Sequence, residues 1–221
     1  MLAKELISDM VFPLKTSDTG IQALNLMDVF RISHLPIVNN KEFLGLISES
    51  DIIDMNDPEE AIGNHKLSLQ KAYVYSNQHL YDIIELVSKN KLTVVPVLDD
   101  SNHYLGLITV TDLLHYIADI FSLKQSGGLI MIEVSQKDYS ASEISHIIED
   151  NDAKLLSLYI NAIKDTQLLE VVIKINKVDV SSVIQAFERY NYNVKGYFTE
   201  LDEGDDIYDE RYESLMRFLN T

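Results

Sequence analysis

The chain has no cysteine among its 221 residues, and this absence excludes several kinds of chemistry. Disulfide bonds, thiol catalysis and thiolate metal sites all require cysteine. The sequence also has no apolar run approaching the roughly 20 residues that a membrane-spanning helix needs. The N-terminal residues Met1 to Glu5 lack the basic stretch and following apolar stretch of a secretory signal. We therefore expect a cytoplasmic protein.

The common catalytic motifs are missing as well. The sequence contains no G-x-x-x-x-G-K-[ST], no G-x-G-x-x-G, no H-E-x-x-H and no G-x-S-x-G. Its six histidines show no metal-ligand spacing. We therefore predict that the protein is not an enzyme, and we assign no catalytic residue, no metal ligand and no required cofactor.

Basic residues are scarce relative to acidic ones. The chain has 18 Lys and Arg against 35 Asp and Glu, a net charge of −17. Residues 1–125 carry 9 basic and 17 acidic residues, or −8, and residues 126–221 carry 9 and 18, or −9. A surface of this sign repels nucleic-acid phosphates and anionic lipid headgroups. We expect neither nucleic acid nor membrane as a partner.

The main positive feature of the sequence is an internal repeat. The residues L-P-I-V at 35–38, followed by G-L-I-S-E-S-D at 45–51, return as V-P-V-L at 95–98, followed by G-L-I-T-V-T-D at 106–112. The offset is 60 at the prolines and 61 from the glycines onward, so the copies differ by one residue in a turn. Such a repeat indicates one supersecondary unit built twice. We expect the function to lie between the two copies.

Local patterns predict a β-α-β-β-α order for each copy. Helices are expected after the cap residues Ser17-Asp18 and Ser76-Asn77, and second helices near Asp51 and Asp112. The predicted hairpins cover 35–47 and 94–108, and short leading strands are expected at 11–14 and 72–75. Ser126-Gly127-Gly128 is expected to end the last of these helices.

The rest of the chain predicts a different unit. Its expected strands and helices follow the order βαββαβ, which is the ferredoxin-like arrangement. Residues 200–213 hold eight acids and one base within an amphipathic pattern, so residues 200–221 are expected to form an acidic helix or tail. The predicted fold class is mixed α/β, in the α+β sense. The predicted domains are a first repeat at 1–60, a second repeat at 61–125, a linker at 126–128, the ferredoxin-like domain at 129–199 and the tail at 200–221.

The repeated [ST]-x-x-D has two interpretations. In the first, Ser48 with Asp51 and Thr109 with Asp112 are capping boxes that satisfy free amides at helix N-termini. In the second, each aspartate accepts hydrogen bonds from the two vicinal hydroxyls of a ribose, a role suited to an acceptor with two oxygens. The spacing alone favours the capping interpretation.

These residues resemble a tandem pair of CBS domains over about residues 1–122. The resemblance implies two related clefts between the repeats, each able to hold an adenosine-containing ligand. It assigns Ser48 and Asp51 to one cleft and Thr109 and Asp112 to the other. The leading segments and the strand starts are expected to flank the ligand through Pro13, Leu14, Val74, Tyr75, His34, Pro36 and Pro96.

The sequence departs from that family at the phosphate position. Many members have a basic residue within or beside the motif, whereas here the intervening residues are Glu49-Ser50 and Val110-Thr111. The nearest cationic candidates are Arg31, His34, Lys89 and Lys91. An acidic cleft favours S-adenosylmethionine or a magnesium nucleotide over free ATP.

Residues 128–199 resemble the ACT domain, a small regulatory unit that commonly pairs side by side and binds amino acids at the interface. Members often have a glycine in the loop after the first strand, and the loop at 135–140 has none. The resemblance therefore implies a homodimer formed through the sheet edge more than amino-acid binding. Together, the two CBS repeats and the ACT-like domain are similar to the acetoin-utilisation family of stand-alone regulators.

Three hypotheses follow. The first is a ligand sensor that binds AMP, ADP, ATP, NAD or S-adenosylmethionine as an effector, with or without Mg²⁺, and transmits the bound state through a homodimer. The second is an adaptor or oligomerisation module with empty clefts that binds a partner enzyme. The third is a Mg²⁺ sensor using the acidic run Asp54, Asp57, Glu59 and Glu60, which is more simply interpreted as a solvated linker.

Overall fold

The computed structural model describes residues 1–66 and 69–199. The chain divides into two compact units, with the division after Tyr116. The predicted tail at 200–221 lies outside the described residues, and the predicted domain boundaries stay predictions. Within the described ranges, no helix is long and apolar enough to cross a bilayer.

The first unit contains both repeats up to Tyr116, which lies within the last helix of the second repeat. The first repeat has α1 (Gly20–Phe30), β1 (His34–Asn39), β2 (Glu42–Ser48) and α2 (Glu49–Ile53). The second has β3 (Val74–Tyr75), α3 (Leu80–Asn90), β4 (Val94–Leu98), β5 (Tyr104–Thr109) and α4 (Val110–Ile120). Two short 3₁₀ turns, Ala3–Glu5 and Ile62–Asn64, precede these elements in the respective repeats.

Both predicted hairpins are present. β1 pairs with β2, and β4 pairs with β5, in each case antiparallel. In the first hairpin the two turn residues Asn40 and Lys41 have φ of 49° and 72°. Positive φ at both central positions is what a type I′ turn requires, and its twist matches that of the strands. The turn, together with a β-bulge opposite Ile37 and Val38, sets the register that places His34 opposite Ser48.

The leading segment of each repeat crosses to the other repeat. The Ser8 amide donates to the Leu107 carbonyl at 2.8 Å, and Leu46 and Gln70 exchange two backbone hydrogen bonds of 2.8 and 3.2 Å. Because each repeat contributes backbone partners to the other's second strand, neither copy is complete alone. This exchange explains why the unit occurs twice.

The motif glycines make this crossing possible. A Cβ on Gly106 would lie 2.4 Å from Cγ2 of Ile7, and one on Gly45 would lie 2.5 Å from Cβ of Leu69. Gly45 also has a φ of +149°, which an L side chain rarely adopts. The two glycines therefore allow residues of the other repeat, and not a ligand, to pack against the strand backbone.

Three local predictions were wrong in detail. The N-caps of α1 and α3 are Thr19 and His79, not Ser17-Asp18 and Ser76-Asn77, because Gln22 and Asp82 complete their capping boxes. The segment at 11–14 is not a strand, since its ladder pairing is a single parallel bridge from Leu14 to Ile37.

The third difference is the end of α4, which comes before the predicted glycines. Ser122 takes a φ of 53°, and the Leu123 amide donates back to the Ala118 carbonyl at 2.9 Å. This is the hydrogen-bond pattern of a Schellman cap, formed here without glycine.

The second unit has the predicted βαββαβ order. Its elements are β6 (Gly128–Ser135), α5 (Ala141–Asp150), β7 (Leu155–Ala162), β8 (Leu168–Ile175), α6 (Ser181–Arg189) and β9 (Asn193–Phe198). The antiparallel sheet has the order β7-β8-β6-β9, so the ferredoxin-like fold is confirmed. Alternate residues of β6 and β8 pack against both helices, with Phe187 fully buried among them.

Candidate functional site

The first motif forms a complete capping box at the start of α2. Ser48 is the N-cap, and its Oγ accepts the Asp51 amide hydrogen at 3.2 Å. In return, Asp51 Oδ2 accepts hydrogen bonds from the Ser48 amide at 2.8 Å and from the Ser48 hydroxyl at 2.6 Å. The capping interpretation is correct for this repeat.

The second motif repeats most of this geometry at the start of α4. Thr109 Oγ1 accepts the Asp112 amide hydrogen at 3.0 Å, and the Thr109 hydroxyl donates to Asp112 Oδ2 at 2.8 Å. Thr109 is buried, at 8% exposure, while Asp112 is half-buried. The hydroxyl is therefore held by the protein, and the carboxylate remains partly accessible.

Capping uses one oxygen of each carboxylate. Among the described residues, the hydrogen bonds that Asp51 and Asp112 accept all go to Oδ2. The Oδ1 atom of each keeps its lone pairs for a further donor. The two interpretations of the motif are therefore compatible, because a single aspartate can cap the helix through one oxygen and meet a ligand hydroxyl through the other.

His34 lies beside the first motif, opposite Ser48 across the β1–β2 ladder. Its side chain is half-buried, and this burial lowers the pKa of the imidazole below its ordinary value, while the nearby Asp51 carboxylate opposes the shift. Nδ1 accepts the Thr93 amide hydrogen at 3.4 Å and lies 3.0 Å from the Thr93 hydroxyl. The neutral ring therefore carries its proton on Nε2.

The two prolines and the core residues of the leading segments are more deeply buried than the motif aspartates. Pro36 and Pro96 are buried inside β1 and β4, and the Leu14 amide donates to the Pro36 carbonyl at 2.8 Å. Leu14 and Val74 are 1% and 2% exposed, so their side chains belong to the core. Pro13 is half-buried beside Leu14. The structure thus brings Ser48, Asp51, His34 and Pro36 to one end of the first hairpin.

Tyr75 is placed away from the second motif. It pairs with Leu98, whereas Thr109 pairs with Val94 four residues earlier. At about 3.3 Å per residue, these positions are about 13 Å apart along β4. The Tyr75 hydroxyl donates to Asn102 Oδ1 at 3.0 Å, at the turn end of the hairpin. A ligand that contacts both Tyr75 and Asp112 must therefore extend along the strand.

Of the candidate phosphate partners, all but the half-buried His34 are exposed on the surface. Arg31 and Lys91 occupy equivalent left-handed positions after α1 and α3, with φ of 54° and 53°. The Arg31 guanidinium is paired with Asp28 at 2.7 Å, and its side chain is 83% exposed. Lys89 and Lys91 are also exposed.

A cavity of about 580 Å³ adjoins the first motif. Its lining residues are Leu24, Asn25, Met27, Asp28, Arg31, Ile32, Ser33 and Glu49. Because Asp28 and Glu49 offset the charge of Arg31, this cavity has no excess of positive charge for a phosphate group.

A second cavity, of about 340 Å³, lies beside the β6–α5 loop in the second unit. The charged residues that line it are Glu133, Asp138 and Glu143. The hydroxyls of Ser135 and Tyr192 donate to Asp138 and Glu143, each at 2.6 Å. The lining offers no positive charge to the carboxylate of an amino acid.

The acidic run that follows α2 does not form a metal cage. Asp54, Asp57, Glu59 and Glu60 are all exposed. Across residues 1–66 and 69–199, no group of three or more His, Asp or Glu side chains is placed to hold a metal ion.

Sequence reasoning missed Ser33 and Thr93, which form the junction between the repeats. Thr93 Oγ1 accepts the Ser33 amide hydrogen at 3.0 Å. The two residues are 60 apart and each precedes the proline-containing strand of its repeat. That matched pair of small hydroxyl residues at the repeat offset is the one sequence signal that could have drawn attention to them, although it does not show that they bond to each other.

Residues 3–56 and 69–119 each match the family model of the CBS domain. The chain therefore carries a tandem pair of CBS domains, which is a regulatory module. The matched ranges include both [ST]-x-x-D motifs and both hairpins.

Known relatives share this region. The chain is 30% identical over 115 residues to inosine-5′-monophosphate dehydrogenase of Methanocaldococcus jannaschii, covering 51% of this chain and 23% of the relative. It is 29% identical over 113 residues to the same enzyme of Bacillus subtilis, covering 50% and 23%. The chain thus spans about a quarter of these relatives, through their CBS region.

Among solved structures, a CBS domain pair/ACT domain protein of Thermotoga maritima superposes with a TM-score of 0.48 at 19% identity. The superposition covers 54% of this chain and 98% of that one.

Proposed function

We propose that the chain is a non-catalytic regulator that binds an adenosine-containing ligand between its CBS repeats. The observation that carries the proposal is that, in the part of the chain that the structure describes, the hydrogen bonds to the two motif aspartates leave Oδ1 of each without a partner. Each aspartate is held at a helix N-terminus by its own Ser or Thr. An acceptor in this setting suits the vicinal hydroxyls of a ribose. The family resemblance of the motif supports the same ligand class.

The charges of the first cleft favour ligands without free phosphate charge. Glu49 lies within the motif, and Arg31 is already paired with Asp28. A sulfonium such as S-adenosylmethionine, or a nucleotide whose phosphates are neutralised by Mg²⁺, meets less repulsion there than free ATP. The effector class is therefore an adenosyl compound of low net negative charge.

Regulation follows from preferential binding. A ligand that contacts both repeats stabilises the relative arrangement that it binds best, and it shifts the population only by its difference in affinity between arrangements. We propose that a homodimer formed through the second unit carries this shift to a regulated enzyme.

A thermal-shift and calorimetric panel tests the proposal. The compounds are AMP, ADP, ATP, NAD, S-adenosylmethionine and methylthioadenosine, each with and without Mg²⁺. A ligand at 100 times its dissociation constant adds about 2.7 kcal/mol to the free energy of unfolding. We expect S-adenosylmethionine or a magnesium nucleotide to raise the melting temperature, and we expect Asp51→Ala or Asp112→Ala to remove the response of its own cleft.

Asp82 provides a matched control for the loss of a helix cap. Its Oδ2 accepts the His79 amide hydrogen at 2.9 Å in the capping box of α3, outside both motifs. Asp51→Ala and Asp82→Ala should each destabilise the protein by about 1 kcal/mol, but only the former should lose ligand binding. A flat panel would favour the adaptor hypothesis, and a response to Mg²⁺ alone would favour the Mg²⁺ sensor.

A further inference from the structure

A continuous path of hydrogen bonds joins the two motifs. The amide of Glu49, the first residue of α2, donates to the Ser33 carbonyl at 3.0 Å. The Ser33 amide donates to Thr93 Oγ1 at 3.0 Å. The amide of Val110, the first residue of α4, donates to the Thr93 carbonyl at 3.0 Å. Ser48 and Thr109 directly precede the two ends of this path.

The link between the repeats within this path is a side-chain hydroxyl. The two other hydrogen bonds of the path join backbone groups, and each stays within one repeat. Thr93 also meets His34, because the Thr93 amide and hydroxyl both contact Nδ1 of that ring. Two donors from the second repeat thus reach His34, which faces Ser48 of the first motif.

The contact is not symmetric. The residue equivalent to His34 in the second repeat is Val94, which has no polar side chain. Ser33 and Thr93 occupy equivalent positions, yet the hydroxyl that bridges the repeats is that of Thr93. A change at residue 93 therefore alters the junction while leaving both motifs and both aspartates intact.

We propose that Thr93 is a positioning residue that couples the occupancy of the two clefts. This inference rests on the proposed function, since it concerns ligands bound at Asp51 and Asp112. A ligand held by Asp51 fixes the start of α2 and, through Ser33 and Thr93, orders the start of α4. The second ligand then meets a motif that is already ordered and binds more tightly.

Site-resolved NMR titration of the full chain with S-adenosylmethionine tests the coupling. The backbone amides of Asp51 and Asp112 report the occupancy of the two clefts separately. In the natural protein we expect each bound cleft to tighten the other by about fivefold, within the usual range of such coupling. In Thr93→Val, which keeps the shape of the side chain and removes the hydroxyl, we expect two independent binding curves.

Two further variants separate coupling from stability. Thr93→Ser retains the hydroxyl and should retain the coupling. Thr16→Val removes another half-buried threonine hydroxyl, one that bonds Asn39 at 2.9 Å inside the first repeat, and should leave the coupling unchanged. A merely structural Thr93 would weaken both clefts equally without changing their dependence on each other. Independent clefts in the natural protein, or coupling that persists in Thr93→Val, would overturn the inference.

A measurement without ligand keeps the inference separate from the proposed function. Ser48→Ala should move the amide resonance of Val110 in the natural background and leave it in place in the Thr93→Val background. If S-adenosylmethionine binds neither cleft, the proposed function fails for that ligand and this comparison alone decides the coupling. If Ser48→Ala leaves the Val110 resonance in place in both backgrounds, the proposed coupling through Thr93 is refuted.

Discussion

At the residue scale, each motif aspartate has one role that the structure shows and one that we propose. Oδ2 closes a capping contact, and in the proposed function Oδ1 accepts a hydrogen bond from a ligand hydroxyl. A residue that is already fixed loses little side-chain entropy when a ligand binds. In this proposal, a capping pattern and a binding pattern occupy the same four positions.

His34 gives the protein a defined response to acid. Burial lowers the pKa of His34 in the folded state below its ordinary 6.5, so the unfolded chain binds the proton more readily. The stability contributed by neutral His34 is present above pH 6.5 and is lost as the pH falls from 6.5 towards the lowered pKa. Protonation of Nδ1 also removes the acceptor of the Thr93 amide.

We therefore predict that His34→Asn flattens the loss of stability as the pH falls below 6.5. The difference in slope is at most about 1.4 kcal/mol per pH unit, the limit for one proton. Urea denaturation at a series of pH values measures it, and His115→Asn, at an exposed position, serves as the control. Parallel curves for the natural protein and His34→Asn would contradict the assignment.

At the scale of elements, the crossing segments decide how the repeats fit. Ile7 occupies the space above Gly106, and Leu69 occupies the space above Gly45. The same glycines that the repeat preserves at an offset of 61 thus serve packing between the copies. Close packing leaves little room for even one added methyl group.

Gly106→Ala should therefore destabilise the first unit by about 1 to 3 kcal/mol, because Ile7 must move. In an Ile7→Ala background the added methyl group fits, so the effect of Gly106→Ala should shrink there. Gly196→Ala is the matched control, since no atom lies within 4 Å of the new Cβ. Chemical denaturation of the four variants checks this, and an undiminished effect in the Ile7→Ala background would be evidence against the crossing contact.

At the scale of the whole molecule, charge and edges govern association. The net charge of −17 makes any pairing of two copies repulsive at low ionic strength. In the second unit β7 is an edge strand, and its Tyr159 and Ile160 are 40% and 42% exposed. An apolar edge with unpaired backbone groups favours pairing with another strand.

We predict a homodimer that pairs through β7 and tightens as salt rises from about 10 mM to 150 mM, where the Debye length falls to about 8 Å. Ile160→Lys should yield a monomer in sedimentation velocity. Met10→Lys changes another exposed apolar residue, at 70% exposure outside any strand, and should remain dimeric. A dimer that survives Ile160→Lys would place the interface elsewhere.

The sequence alone determined the elements and the architecture. Hydrophobic alternation and turn residues were enough to predict the two hairpins and the βαββαβ order, because these patterns follow from backbone geometry. The [ST]-x-x-D spacing was enough to predict both helix caps, at Ser48 with Asp51 and at Thr109 with Asp112, because a capping box joins residues only three positions apart. Helix boundaries shifted by a few residues because several candidates compete at each end, as Thr19 did with Ser17.

Only the tertiary structure decided the contacts between the copies. Nothing local marks Thr93 as the partner of Ser33 and His34, or Ile7 as the neighbour of Gly106. These contacts join residues about 60 to 100 positions apart. They depend on how two sheets meet, and that is set by the packing of the whole core and not by any single stretch of chain.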